Sequence, residues 1–161
     1  MPTAQYINMP ENAGELVASG LSADPAAVGV LRPDTGDDGR RPAPREAFYN
    51  DVDEATAEAA MSLLTADAPA GVVLEPVTVT AERYGSIPHS CVVCTQDNAI
   101  RPQLQRLMVR EIDAVSARPT TVVEMDSTHS PFLSRPAALS DVIQVAHTAT
   151  RRPDRTQTAG V

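Results

Sequence analysis

Two residues have the type and placement for proton chemistry. His129 sits in the stretch from Thr121 to Pro136, TVVEMDSTHSPFLSRP, where an apolar run ends in a polar turn and Pro136 restarts a periodic pattern. An imidazole titrates near pH ~6.5 when unperturbed, so it can accept and return a proton close to neutrality. Asp97 occupies the equivalent place after an earlier run, in Gln96-Asp97-Asn98. A carboxylate completes such a base by accepting the hydrogen bond of one ring nitrogen, which leaves the other free for the reacting group. The plain alternative is a turn-forming aspartate and a loop histidine.

The cysteines suggest no second chemistry. Cys91 and Cys94 have Cys-x-x-Cys spacing but lie in the apolar run Cys91-Val92-Val93-Cys94. Residues three apart on a strand point to opposite faces, so the pair neither chelates one metal nor closes a disulfide there. Both read as core residues, and neither a metal nor a cofactor is expected.

The elements that must hold Asp97 and His129 follow from the patterns on either side. Ser90 to Thr95 reads as a buried strand, and Pro102 suits the first turn of a helix carrying Leu104, Leu107, Met108, Ile112 and Val115. Thr120 to Met125 reads as a second strand. Pro136 then opens a last helix with Leu139, Val142, Ile143 and Ala146 on one face, and from Thr148 onward the chain is a polar tail. Strand, helix, strand, helix implies parallel strands with crossover helices, which would bring both polar turns to the carboxyl edge of one sheet.

Upstream the reading is thinner. Residues 1 to 47 are rich in proline and glycine; only Ala13 to Ser19 could form about two helical turns, and Asp34 to Arg45 reads as exposed loop. A helix is expected from Asn50, which can cap it, through Leu64, ending before Pro69. Short extended pieces at Val72 to Leu74 and Val77 to Thr80 follow, then a turn at Tyr84 to Pro88.

The totals exclude some roles. The 161 residues carry a formal net charge of -8, which disfavours nucleic acids and anionic membranes, whose binding needs positive charge. No run is apolar enough to span a bilayer, so a soluble cytoplasmic protein is expected. Aromatics make up 3% of the chain and tryptophan is absent, so the core must be built from aliphatic side chains.

Several short motifs carry a resemblance. Tyr84-Gly85-Ser86-Ile87-Pro88-His89, Val92 to Ile100, Gln105 and His129-Ser130-Pro131-Phe132-Leu133-Ser134-Arg135-Pro136 together resemble the C-terminal part of an α/β-hydrolase, of the group with plant methylesterases, hydroxynitrile lyases and bacterial esterases. Phe48 to Val52 resembles that family's cap region. The resemblance implies an α/β class protein with a partial α/β-hydrolase fold: residues 1–75 a lid, 76–147 the C-terminal part of the core, 148–161 a flexible tail. It also implies Asp97 as the acid and His129 as the base of a Ser-His-Asp triad acting on a small-molecule ester. Thr128 stands where the family usually has Asp, a cysteine stands at Cys91 where an aromatic is common, and Asp97 and His129 are further apart than in the plant members.

The sequence contains no G-x-S-x-G, the turn that presents a hydrolase serine. The expectation is therefore a carboxylic-ester hydrolase of which this chain holds lid, acid and base without the nucleophile, inactive alone and able to self-associate through open sheet edges. The alternatives are a non-catalytic binding or regulatory protein of the same descent and a hydroxynitrile lyase.

Overall fold

The computed structural model describes residues 28–31, 42–65, 67–71 and 78–151. Its centre is a parallel pair, β3 (Ser90–Cys94) and β4 (Thr121–Met125), in register from Ser90 opposite Thr121 to Cys94 opposite Met125. The helix between them, α3 (Pro102–Asp113), is the crossover that parallel strands require. Pro102 opens it at a position whose N–H would have no helical partner anyway.

Val93, Cys94, Leu104 and Met125 are the buried apolar residues of this pair and α3, and Val93 and Leu104 are among the largest fully buried side chains. Leu107, Met108 and Ile112 are half-buried on the same helix, while Val115 lies just past its end. Asp113, the last helical residue, accepts from the Thr120 N–H at 2.8 Å and the Thr120 hydroxyl at 2.6 Å, which ties the helix end to the start of β4. A 3-10 turn at Tyr84–Ser86 falls where a turn is expected. Gly85 there presses on the Val115 carbonyl, where a Cβ would overlap it.

The upstream elements depart from expectation in three places. The expected loop from Asp34 to Arg45 ends inside a helix, α1 (Pro42–Phe48). Its prolines at Pro42 and Pro44 occupy the first turn, where amide hydrogens are not used, and burial of Ala47 and of the following Tyr49 rewards the helix. Next, α2 (Glu54–Ser62) is capped by Asp53, which accepts from the Thr56 N–H at 3.0 Å, and not by Asn50. Third, Thr78 to Thr80 are irregular, whereas a two-residue antiparallel pair, β1 (Val30–Leu31) with β2 (Ala68–Pro69), arises where none is expected. Gly29, at φ +73°, turns the chain into β1 in a conformation that favours glycine. Ala13 to Ser19 and Val72 to Val77 lie outside the described residues.

Beyond β4, a short helix α4 (Pro131–Ser134) leads into α5 (Pro136–Arg151), which runs past Thr148, where the tail is expected to begin. Leu139, Val142 and Ala146 are half-buried, but Ile143 is 58% exposed and does not share their covered face. Among the described residues no helix is long and apolar enough to cross a membrane.

Candidate active site

The parallel register continues beyond the strands and sets the site. Thr95 N–H donates to Met125 O at 2.9 Å and Gln96 N–H to Ser127 O at 3.0 Å, so the two exit loops leave the sheet side by side. Asp97 and His129 therefore meet at the carboxyl edge, with His129 Nδ1 3.1 Å from Oδ2 and 3.2 Å from Oδ1 of Asp97. A carboxylate only accepts, so the ring nitrogen between them is the donor and Nε2 is left as the free base. Asp97 is 6% exposed and the His129 side chain 33%, an anchored acid behind a half-open base.

The Asp97 carboxylate is fixed before the imidazole reaches it. Its Oδ1 accepts from Ala99 N–H at 2.8 Å and Ile100 N–H at 2.9 Å, an Asx-type turn that closes the strand exit. Its Oδ2 accepts from Gln105 Nε2 at 3.2 Å. The same Gln105 amide accepts from Cys94 N–H at 2.9 Å and donates to Cys94 O at 3.2 Å and Ile100 O at 2.6 Å. One side chain on the first turn of α3 thus holds both the strand end and the acid.

A second support comes from the segment around α1. Phe48 meets the His129 ring edge to face, with centroids 5.0 Å apart. Asn98 Nδ2 donates to Glu46 O at 3.1 Å and Asn50 Nδ2 to Gln96 O at 3.4 Å, bracing the β3 exit loop. Asp51 accepts from the Thr128 N–H at 3.2 Å and from the Thr128 hydroxyl, bracing the β4 exit loop. Burial pushes the Asp51 carboxyl up, but the hydroxyls of Thr128 and Ser134, the Thr128 N–H and the positive charge of Arg135 more than reverse this and hold it below the usual carboxylate value.

The remaining candidates are accounted for. Cys91 and Cys94 are free thiols, both pushed up in pKa chiefly by burial, which makes them poor nucleophiles. Ser127 and Ser130 are buried beside the histidine, 1% and 2% exposed. A different serine and histidine, Ser116 and His89, approach to 3.3 Å but at the amino end of β3, away from Asp97. Among the described residues no three His, Cys, Asp or Glu side chains cluster to hold a metal ion.

The sequence points to Asp97 and His129, but it offers Gln105 only as part of the C-terminal resemblance and Phe48 and Asp51 only as part of the cap resemblance, with no role for any of the three. Nothing local indicates what Phe48 and Asp51 touch, since their contacts span 81 and 77 positions of sequence.

A parallel pair with a crossover helix is a unit of the α/β class, and comparison with known proteins gives the family. The model of the alpha/beta hydrolase family matches residues 6–142, and the chain belongs to that family. Its relatives include methyl jasmonate esterase 1 of Vitis vinifera, 32% identical over 72 residues, which are 45% of this chain and 26% of that protein. Putative methylesterase 14, chloroplastic, of Arabidopsis thaliana is 36% identical over 76 residues, 47% of this chain and 20% of that one. Methylesterase 2 of the same plant is 39% identical over 59 residues, 36% and 20% of the respective chains. The chain thus matches a fifth to a quarter of the length of these relatives. The crystal structure of a pyrethroid hydrolase superposes with a TM-score of 0.62 at 19% identity, over 93% of this chain and 57% of that one, a likeness of fold.

Proposed function

We propose that this chain supplies the acid, Asp97, and the base, His129, of a Ser-His-Asp triad in a carboxylic-ester hydrolase. The observation that carries the reading is the Asp97 to His129 Nδ1 contact at 3.1 Å on the carboxyl edge of a parallel pair. In this arrangement Nε2 takes the proton of an attacking serine hydroxyl, the imidazolium is stabilised by Asp97, and the proton then passes to the leaving alcohol. The serine itself, with the backbone donors for the oxyanion, would come from a nucleophile elbow that this sequence does not contain. The methylesterase names of its relatives support a small ester as the substrate class.

The test is complementation. The purified chain is expected to leave a p-nitrophenyl ester and a fluorophosphonate probe untouched. Mixed with, or fused behind, the elbow-bearing N-terminal half of a methylesterase relative, it should hydrolyse the ester. His129→Ala in that assembly should lower kcat by about 10⁴-fold or more. Labelling of the chain alone, abolished by His129→Ala, would overturn the need for a second segment. An active assembly indifferent to His129→Ala would overturn the assignment of the base.

A further inference from the structure

The turn that carries His129 is held from behind by a second carboxylate. Asp51 reaches from the loop after α1 and takes two hydrogen bonds from Thr128, the residue immediately before the histidine, one from its N–H at 3.2 Å and one from its hydroxyl. Thr128 is 1% exposed, so neither bond is readily exchanged for water. Together they pin Thr128 by its side chain and by the peptide that enters it, and so limit the direction in which the chain delivers the imidazole one residue on. Asp97 orients the ring at Nδ1 but cannot set where the ring starts. Phe48, three residues before Asp51 on the same segment, closes the ring from its edge.

We infer that Asp51 is a positioning residue for His129, acting through Thr128, so that the base is held by two carboxylates: Asp97 on the ring and Asp51 on the residue before it. The inference rests on the triad reading above for its catalytic meaning, while its structural content stands apart from it. Asp51 touches neither the imidazole nor a reacting atom. Its expected effect is on ring geometry and tautomer. The charge of Arg135 adds a smaller push toward the ionised form of Asp51, behind the hydrogen bonds from Thr128.

The experiment uses the full chain labelled with ¹⁵N and reads the His129 ring by long-range ¹H-¹⁵N spectra, assigned by its loss in His129→Ala. The native ring should show a single Nδ1–H tautomer with a slowly exchanging Nδ1 proton. Asp51→Ala should mix the tautomers and speed that exchange about 10-fold or more, as should Thr128→Val to a lesser extent, because a base released from its backbone anchor samples other ring positions. Asp51→Asn keeps one oxygen to accept from the Thr128 N–H and can donate its amide N–H to the Thr128 hydroxyl, so it should bring the spectrum back toward the native one. A native ring signal in folded Asp51→Ala, or in Thr128→Val should Asp51→Ala not fold, overturns the inference. In the complemented enzyme, Asp51→Ala should lower kcat by about 10- to 100-fold with KM little changed, the cost of a misplaced base. If no assembly ever hydrolyses an ester, the triad reading fails and the ring spectra still decide the role of Asp51.

Discussion

Gln105 shows how much one side chain can be asked to hold. Its amide satisfies both polar groups of the Cys94 peptide and one oxygen of Asp97, all in partly buried surroundings. Removing it strands buried partners, which costs about 1–3 kcal/mol for each group left unpaired. Gln105→Ala should therefore lower the melting temperature and also lower kcat in the complemented enzyme. Gln105→Glu separates the two effects: it can still accept from Cys94 N–H but sets a negative charge against Asp97, so activity should fall further than stability. Thermal melts and ester turnover on the two variants check both. The place of Asp97 after a strand is legible in the sequence; that Gln105 braces it is not, since a glutamine on an amphipathic helix is ordinarily a solvated residue.

At the scale of elements, β3, α3 and β4 follow the sequence almost residue for residue because each has a strong local cause. Two β-branched-rich runs and a helix opened by Pro102 leave little choice. The segment from Pro42 to Asp53 is harder to read, since its prolines look like breakers, while burial of Ala47 and Tyr49 and the contacts of Glu46, Phe48 and Asp51 with distant residues favour the helix. The capping of α2 illustrates the same limit: Asn50 and Asp53 are both good caps, and Asn50 is drawn away by the Gln96 carbonyl 46 positions on. The joint between the 3-10 turn and the end of α3 gives this scale its prediction. Ala117 N–H donates to Gly85 O at 2.8 Å, so backbone there runs against backbone with no side chain to yield. Gly85→Ala should destabilise by about 1–3 kcal/mol, as overpacking does, seen as a lower urea midpoint at unchanged slope.

For the whole molecule, two aspartates that tie one element to the next, Asp51 across 77 positions and Asp113 across 7, make acid the natural denaturant. Asp113, which receives the Thr120 hydroxyl and N–H, is held below the usual carboxylate value, as is Asp51. A group whose folded pKa is depressed stabilises fully above its unfolded value, near ~3.9 for Asp, and loses that stability as pH falls toward the folded value. Stability should be flat from neutrality down to about pH 5 and fall below about pH 4. Asp51→Asn should be less stable than the native chain at neutral pH and lose less on acidification; urea titrations from pH 7 to pH 3 measure this. Fold class and family were legible because the strands and the His129 motif are local in sequence. The bracing of both exit loops by residues 46 to 51 was not, because it depends on which surfaces meet once the chain has collapsed.

The Gln105 amide has a further consequence for the sheet. Thr121 N–H bonds to His89 O and Thr95 N–H to Met125 O, so the odd-numbered residues of β3 face β4 and Ser90, Val92 and Cys94 present their peptides to the other side. At Cys94 that side is already occupied, with the glutamine mimicking the peptide of a neighbouring strand. A strand laid along this margin has only Ser90 and Val92 to pair with and must end before the rim where Asp97 and His129 meet. Gln105 is in this sense a stop signal for sheet growth, keeping the ground above Asp97 and His129 clear of main chain.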